Sequence, residues 1–254
     1  MRIISKTIQV IYNLYAITIF LVLMIFMLPL VLLTYFFSAD TRGNYIYKMA
    51  QIAIDIAMFL CGMHHTNIFE TPHDLTKPSI FVFNHISYLD ALIILKAVRK
   101  QHYRGLGKAE IGNVPILGFI YRSAVIMVKR TDAADRARSV ADLKTAIQNN
   151  ISIILAPEGT FNYSTKPLTR FYDGAFRIAI ETQTPIKPLL FLDTYDRLHY
   201  GSLFSLTPGK SRVVYLEEIA VEGYQPEDLP LLKEKVYKSM ESALIRYKAA
   251  WIKE

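Results

Sequence analysis

Residues 79–90 read SIFVFNHISYLD. A short apolar run ends at Phe83 and is followed at once by a polar pair, Asn84 and His85, which predicts a buried strand that leads into a loop. Asp90 follows His85 by five residues. On a continuous helix these two side chains would lie about 140° apart, so they can meet only if His85 belongs to the loop and folds back over the first helical turn. An imidazole paired with a carboxylate in this way is the minimum arrangement for removing a proton from a hydroxyl group.

Asp90 also has a purely structural interpretation. The sequence Ser87-x-x-Asp90 resembles a helix-capping arrangement, with Ser87 as the N-cap and Asp90 in the first turn. The two interpretations are compatible, because such a cap would hold Asp90 next to a His85 in the loop. The spacing of His85 and Asp90 is a weak signal by itself in a chain with six histidines.

Outward from this stretch, short apolar runs alternate with helical patterns from about residue 75 onward. The apolar runs are residues 80–83, 124–128, 151–155, 186–191 and 213–216. The helical patterns are residues 91–98, 133–148, 174–181 and 229–253. This alternation predicts an α/β fold with a mixed, largely buried sheet flanked by helices, and it puts the functional segments at strand ends.

The N-terminal part of the chain has a different composition. No charged residue lies between Lys6 and Asp40. A helix through this uncharged run would be about 50 Å long, well beyond a hydrocarbon core of about 30 Å, and Pro29 is expected to kink or interrupt it. Residues 47–63 form a second apolar stretch that predicts an amphipathic helix. A cleaved signal peptide would need a shorter apolar region and a small-residue cleavage site, and neither is present.

Charge and cysteine content restrict the partners and the compartment. The net charge is +7 and the pI is about 9.3, which beside an apolar segment favours anionic lipid headgroups over nucleic acid. The single cysteine, Cys61, fits a reducing compartment.

We expect membrane-anchoring helices in residues 1–65 and a second domain in residues 66–254. We expect that domain on the cytoplasmic side of the inner or cytoplasmic membrane, although basic residues flank both ends of the apolar run.

Residues 156–160 read APEGT and follow a predicted strand directly. Pro-Glu-Gly at a strand end is a turn by default. In a functional interpretation, Glu158 orients a polar ligand, Gly159 lets backbone amides approach closely, and Thr160 adds a hydroxyl donor.

Residues 108–118 form a loop rich in glycine and proline that begins at Lys108, and an apolar run leads from it to Arg130. Two cationic segments on either side of an apolar one would suit a ligand with an anionic head group and an apolar tail. They would fit an ordinary surface loop about as well. Three histidines precede the first predicted strand, but no second ligand group has a suitable spacing, so no metal site is predicted.

The order of these segments resembles the glycerolipid acyltransferase family, and most closely its 1-acylglycerol-3-phosphate (lysophosphatidate) acyltransferases. The resemblance covers about residues 75–220 and consists of four blocks. They are Asn-His-x4-Asp at 84–90, Lys-x-x-Ile-Gly-x-x-Pro-x-x-Gly at 108–118, Pro-Glu-Gly-Thr at 157–160, and Gly-Ala-Phe-x-Ile-Ala at 174–179 followed by Pro-Ile-x-Pro at 185–188. The N-terminal apolar helices also resemble the membrane-binding helical pair of these enzymes.

The resemblance implies transfer of a fatty acyl chain from a thioester, acyl-CoA or acyl carrier protein, to the free hydroxyl of lysophosphatidic acid in phospholipid biosynthesis. His85 would be the general base, and Asp90 would hold its tautomer and offset the imidazolium charge. No cofactor is implied beyond the thioester co-substrate. The expected partners are membrane lipids, the lysolipid acceptor and the thioester donor. The implied substrate-binding residues are Asn84, Lys108, Arg130, Glu158, Gly159, Thr160 and Arg177.

Two positions depart from the family pattern. Phe161 follows Glu-Gly-Thr where these enzymes usually have arginine, and Asp173 precedes the Gly-Ala-Phe block where lysine is frequent. Both changes remove positive charge near the expected acceptor head, because phenylalanine offers no bidentate fork for a phosphate. Three alternatives therefore stay open: a lyso-aminolipid or another lysolipid as acceptor, a non-catalytic lipid-binding protein of the same fold, and a lipid hydrolase that uses water.

Overall fold

The protein is described by a computed structural model that covers residues 2–253, with side chains from residue 6 onward. Within these residues the strands are β1 (Met63–Phe69), β2 (Ile80–Phe83), β3 (Tyr103–Lys108), β4 (Ile126–Val128), β5 (Ser152–Leu155), β6 (Ile186–Phe191) and β7 (Gly209–Tyr215). The α-helices are α1 (Arg2–Leu33), α2 (Ala39–Leu60), α3 (Asp90–Ala97), α4 (Leu117–Arg122), α5 (Ala133–Gln148), α6 (Gly174–Thr182), α7 (Thr194–Arg197) and α8 (Leu229–Arg246). Short 3-10 helices lie at Thr34–Phe36, Ala109–Asn113 and Pro226–Asp228.

The strands form one mixed sheet in the order β1-β7-β6-β2-β5-β3-β4. The five strands from β6 to β4 are parallel, β7 is antiparallel to β6, and β1 is parallel to β7. The carboxyl ends of the five parallel strands therefore meet at one edge of the sheet, where open α/β folds bind their ligands. The predicted α/β class with a mixed, flanked sheet is confirmed.

Strand β2 shows why the sheet is covered on both faces. Ile80 and Val82 belong to the apolar cluster that includes α5, α6 and α8, whereas Phe81 and Phe83 belong to the cluster that includes α2 and α3. All four side chains are buried. Such a run is continuous rather than alternating in hydrophobicity because both faces of a parallel sheet pack against helices.

The sequence pattern located five strands and missed β1 and β3. Strand β3 carries Arg104 in its interior, where an apolar residue is the usual signal. The buried Arg104 guanidinium donates to the side-chain oxygen of Asn44 at 2.9 Å and to the carbonyl of Asp40 at 2.7 Å, both on α2. A charged residue is tolerated in this strand because a helix that is distant in sequence satisfies its hydrogen bonds.

The two N-terminal helices pack on the rest of the chain. Helix α1 continues through Pro29, so of the two predicted effects of this proline, a kink or an interruption, the interruption does not occur. Strand β1 begins at Met63, so the predicted boundary between residues 65 and 66 lies within that strand. Among the described residues, one helical segment, Lys6–Phe36, is long and apolar enough to cross a membrane.

His65 on β1 gives the fold a pH dependence that can be measured. The ring makes hydrogen bonds with the Ser211 hydroxyl at 3.1 Å and with Oδ1 of Asn67 at 2.9 Å, and burial lowers its pKa to about 4. Below about pH 6.5 the unfolded chain therefore binds a proton that the folded chain does not, so the free energy of unfolding falls as the pH falls toward 4, by about 3 kcal/mol in total. Urea unfolding of detergent-solubilised protein across this range should show the loss, and His65→Gln should flatten it.

The neighbouring His64 provides the matched control, because its side chain is exposed on the other face of β1. His64→Gln is expected to leave the pH dependence of unfolding unchanged. An equally steep dependence in the His65→Gln variant would contradict the assignment to His65.

Candidate active site

The site lies where the chain leaves the central strands. The loop after β2 carries His85, the loop after β5 carries Glu158, and the main chain of Phe191 ends β6. Strand β2 lies between β5 and β6 in the sheet, so these three strand ends are neighbours. The topology alone brings together segments that are more than 100 residues apart.

His85 and Asp90 form a hydrogen-bonded pair. Nδ1 of His85 lies 2.8 Å from Oδ2 of Asp90, whose side chain is fully buried. The same Oδ2 accepts the backbone N–H groups of Ile86 and Ser87 at 2.8 and 2.9 Å. Three donors on one carboxylate oxygen hold it in place, and a buried carboxylate held beside Nδ1 directs the imidazole proton to that nitrogen.

The local chain path explains the pair. Asp90 is the first residue of α3, and its side chain turns back over the preceding loop, as the sequence predicted for this spacing. Ser87 is not the N-cap, because the residue before the helix is Leu89, which makes no side-chain cap. Instead, the Ser87 hydroxyl accepts the N–H of Leu89 at 3.0 Å and donates to the carbonyl of Leu198. The serine thus joins the loop that carries His85 to a loop more than 100 residues away.

The imidazole of His85 packs between two phenylalanines. Its ring centroid lies 5.8 Å from that of Phe83 and 4.4 Å from that of Phe161, in edge-to-face arrangements. The side chain remains 22% exposed. Nε2 has no hydrogen-bond partner within residues 2–253, so the ring is oriented from one side and open on the other. This is the geometry required of a general base that awaits a hydroxyl group.

Glu158 holds the loop from which His85 projects. Its Oε1 accepts the backbone N–H of His85 at 2.9 Å, and its Oε2 accepts both the N–H and the hydroxyl of Thr169 at 2.8 Å. The carboxyl group is 1% exposed, and burial raises its pKa despite these donors. Glu158 therefore ties the loop after β2 to the segment between β5 and α6, so in this structure it positions the histidine backbone.

Glu158→Gln is expected to lower turnover about tenfold and to reduce stability by about 1–3 kcal/mol. In the variant, an NH2 group replaces one of the two carboxylate oxygens. It would face a backbone N–H group that has an acceptor in the wild-type protein and would have none in the variant. Steady-state kinetics and thermal unfolding measure the two effects. Thr169→Val is the control, because it removes one hydroxyl donor and retains the N–H. Wild-type kinetics and stability in Glu158→Gln would refute this role.

Asn84 connects β2 to β6. Its amide NH2 donates to the carbonyl of Phe191 at 3.1 Å, and its amide oxygen accepts the Phe191 N–H at 2.8 Å. The side chain is buried. These two bonds give Asn84 a structural role beside His85, and its predicted contact with substrate stays a prediction.

The predicted cationic residues lie at the same edge of the sheet but not in contact with His85. Lys108 ends β3 and lies 3.9 Å from Glu110, Arg130 follows β4 and donates to the carbonyl of Gly159, and Arg177 is exposed on α6. Thr160 is exposed as well. Gly159 has a φ of +69°, and a Cβ there would lie 3.0 Å from the Tyr172 ring, so glycine is required for this turn.

The second departure from the family pattern is locally compensated. Asp173 precedes α6 and pairs with Lys233 of α8 at 2.6 Å, and this hydrogen bond lowers the pKa of its carboxyl group. The negative charge of Asp173 is thus directed toward α8. The first departure is Phe161, which stands where the family usually has arginine. In contrast to Asp173, it lies directly against the His85 ring.

Aromatic rings continue outward from Phe161. The ring centroid of Tyr88 lies 4.9 Å from that of Phe161, that of Tyr163 lies 6.0 Å from it, and Tyr200 lies 4.9 Å from Tyr163. Neither these tyrosines nor Thr169 was predicted from the sequence as parts of the site. Two of these contacts, Tyr88–Phe161 and Tyr163–Tyr200, join loops that only the strand order brings together, and no short-range pattern indicates them.

Metal ligands are not clustered in the described part of the chain. No group of three His, Cys, Asp or Glu side chains lies close enough there to hold an ion.

With this fold and this site, the chain belongs to the acyltransferase family, whose sequence profile matches residues 63–192. The matched region covers β1 to the end of β6 and contains the His85–Asp90 pair. The family membership predicted from the four sequence blocks is confirmed.

Individual relatives agree with this assignment. An uncharacterized acyltransferase of Schizosaccharomyces pombe is 33% identical over 172 residues, which cover 66% of this chain and 61% of that protein. The human 1-acyl-sn-glycerol-3-phosphate acyltransferase alpha is 26% identical over 173 residues, which cover 65% of this chain and 58% of that protein. The chain thus matches about three fifths of the length of these curated relatives.

The fold also matches that of a solved acyltransferase structure over its whole length. This is the crystal structure of the 1-acyl-sn-glycerophosphate acyltransferase PlsC from Thermotoga maritima, with a TM-score of 0.71 and 23% identity over 100% of both chains. The similarity includes the N-terminal helices as well as the sheet.

Proposed function

We propose that this protein transfers a fatty acyl chain from a thioester to the free hydroxyl of lysophosphatidic acid, giving phosphatidic acid. The single observation that carries the proposal is the His85–Asp90 pair at 2.8 Å, held from the Nδ1 side and open at Nε2. Relatives named 1-acyl-sn-glycerol-3-phosphate acyltransferases support the choice of acceptor.

The proposed mechanism needs one base and no acyl-enzyme. Nε2 of His85 removes the proton of the acceptor hydroxyl as its oxygen attacks the thioester carbonyl, so a C–O bond forms and a tetrahedral intermediate appears. Asp90 stabilises the resulting imidazolium. The intermediate collapses with cleavage of the C–S bond, and the leaving thiolate takes the proton from the imidazolium. The products are an ester and a thiol, and His85 is returned to its neutral state.

The donor is acyl-CoA or acyl carrier protein. A thioester is already activated, so a positioned base, the proximity of the reactants and stabilisation of the oxyanion are sufficient contributions. Cations at the carboxyl edge of the sheet, among them Lys108, Arg130 and Arg177, provide the charge for the phosphate of the acceptor. Their exposure leaves them free to move toward a ligand.

We infer that α1 lies along the bilayer surface rather than across it. Asn13 near its start bonds to Leu206, Ala16 is buried in the sheet cluster, and Met27 and Val31 pack with α4. These contacts extend from residue 13 to residue 31 of α1. If α1 crossed the bilayer, the sheet that packs along it would have to lie in the hydrocarbon core. The opposite face of α1 exposes large apolar side chains, as a helix in the membrane interface does. We place the enzyme on the cytoplasmic face of the inner or cytoplasmic membrane.

A lysolipid panel tests the proposed reaction. Purified protein is incubated with acyl-CoA and, in parallel reactions, with lysophosphatidic acid, lysophosphatidylcholine or a lyso-aminolipid, and thiol release is followed. Release that requires lysophosphatidic acid supports the proposal. No release with any acceptor from either acyl-CoA or acyl carrier protein would leave a lipid-binding protein, and release without an acceptor would indicate a hydrolase.

One observation favours a second acceptor class. Phe161 lies against His85 and is surrounded by tyrosines, so the side of the site next to the base is aromatic rather than cationic. Aromatic faces bind ammonium groups better than phosphate groups. A preference for a lyso-aminolipid in the panel would establish this second candidate.

A further inference from the structure

The loop of residues 198–208, between α7 and β7, exposes two adjacent large apolar side chains. Leu203 is 60% and Phe204 is 49% exposed. Isolated apolar residues on a surface are ordinary, but an adjacent pair at the tip of one loop forms a patch.

This loop is held in shape by its own hydrogen bonds. The Ser205 hydroxyl donates to the carbonyl of Ser202 at 2.6 Å and also lies 3.1 Å from the carbonyl of His199, and the N–H of Phe204 donates to the Ser202 hydroxyl at 3.1 Å. At its base, Thr207 donates its N–H to the carbonyl of Arg197 at 2.8 Å. Leu203 and Phe204 are therefore presented by a structured turn and are not simply the tip of a loose segment.

The loop is also bound to α1. Asn13 accepts the N–H of Leu206 at 3.0 Å and donates to its carbonyl at 3.2 Å, and Gln9 donates to the same carbonyl at 2.6 Å. Asn13 is buried, so these bonds are shielded from water and fix the loop beside the helix. The exposed patch of the loop therefore lies next to a helix whose free face is apolar.

We propose that the 198–208 loop is a second membrane-docking element, which inserts Leu203 and Phe204 into the same leaflet as α1. This inference rests on the interfacial location of α1 proposed above. A bilayer is the partner that covers an apolar helix and an adjacent apolar loop tip at once. The charge agrees, because residues 198–208 contain no acidic side chain, and two exposed lysines are close to the contact in sequence: Lys6 precedes Gln9 on α1, and Lys210 follows the loop.

The loop connects this contact to the chemistry. Its first residue, Leu198, accepts the Ser87 hydroxyl beside Asp90, and its Tyr200 packs on Tyr163 at 4.9 Å. Docking of the loop would hold the mouth of the His85 site at the bilayer surface. An acceptor hydroxyl would then reach His85 while its acyl chain stays in the leaflet.

Tryptophan fluorescence tests the insertion independently of activity. The only natural tryptophan, Trp251, is buried and contributes a constant background. Phe204→Trp, in full-length protein reconstituted into phosphatidylglycerol–phosphatidylcholine vesicles with brominated acyl chains, should lose about half of its added emission or more, because an inserted side chain lies about 5–10 Å into the interface. Leu231→Trp is the matched control: it is 61% exposed on α8, across the sheet from α1, and should not be quenched.

A third variant separates this inference from the proposed anchoring. Phe26 is 72% exposed on α1, so Phe26→Trp reports on the helix alone. Quenching of both Phe26→Trp and Phe204→Trp supports the proposal. Quenching of Phe26→Trp alone refutes the docking of the loop and leaves the anchor intact, and quenching of neither overturns both. A blue shift of Phe204→Trp without bromine quenching indicates a protein contact and also overturns the proposal.

Discussion

His85→Ala is expected to lower turnover with lysophosphatidic acid by about 10²-fold or more, because it removes the group that takes the hydroxyl proton. The variant should still fold. Asp90 keeps the N–H groups of Ile86 and Ser87 as partners, so its carboxylate is not left buried without hydrogen bonds. Lysolipid-dependent thiol release measures the loss, and vesicle flotation checks that the variant still binds membranes.

His102→Ala is the matched control for this experiment. His102 is exposed and directly precedes β3, at the opposite edge of the sheet from His85. The control should retain wild-type turnover, which separates the loss of a base from the loss of any histidine. Near-normal turnover in His85→Ala would remove the proposed base and with it the mechanism.

Asp90→Asn is expected to lower turnover by about 10²-fold while the protein remains folded. The isosteric amide oxygen can accept the three hydrogen bonds now made to Oδ2, including the one from Nδ1 of His85, so the tautomer is retained. The amide nitrogen would occupy the position of Oδ1, which has no hydrogen-bond partner in the described structure. What the variant loses is the negative charge that stabilises the imidazolium.

Comparison of Asp90→Asn with Asp90→Ala separates the contribution of the carboxylate charge from that of its hydrogen bonds. The alanine variant leaves two backbone N–H groups and the imidazole without an acceptor, at a cost of about 1–3 kcal/mol for each buried group. We therefore expect turnover to fall by about 10²-fold or more in both variants, and the alanine variant to melt at a lower temperature than the asparagine variant. A wild-type rate in Asp90→Asn would show that the carboxylate charge is dispensable, and equal melting temperatures for the two variants would contradict the hydrogen-bond argument.

The local features of the site could be predicted from the sequence. The apolar run at 80–83, the polar pair after it and the five-residue spacing to Asp90 were sufficient to put His85 in a loop that folds back on the first turn of α3. The boundaries of α5 agree with the predicted helical pattern at residues 133–148, and in the structure Asp132 caps its start by accepting two backbone N–H groups. These features depend on residues within one or two turns of each other, and such interactions are encoded by spacing and residue type.

The positions of β1 and β3 could not be predicted in the same way. Strand β1 lies at the edge of the sheet with three of its seven side chains exposed, and β3 carries a buried arginine. Strand β1 is stabilised by pairing with β7, and β3 is stabilised by the hydrogen bonds between Arg104 and α2. A sequence pattern shows which residue is present, but it does not show the distant residue that accepts its hydrogen bonds or buries its surface.

By itself, the sequence determined the class of the fold, the strand–loop–helix that pairs His85 with Asp90, and the presence of an apolar helix at the start of the chain. Only the tertiary structure decided that Glu158 and Thr169 hold the His85 loop, that Phe161 packs on the imidazole, and that α1 lies along the domain beside the 198–208 loop. The physical reason is the range of the interactions. Capping and periodicity act between neighbours in the chain, whereas these contacts arise from the strand order and from the burial of surfaces that distant segments share.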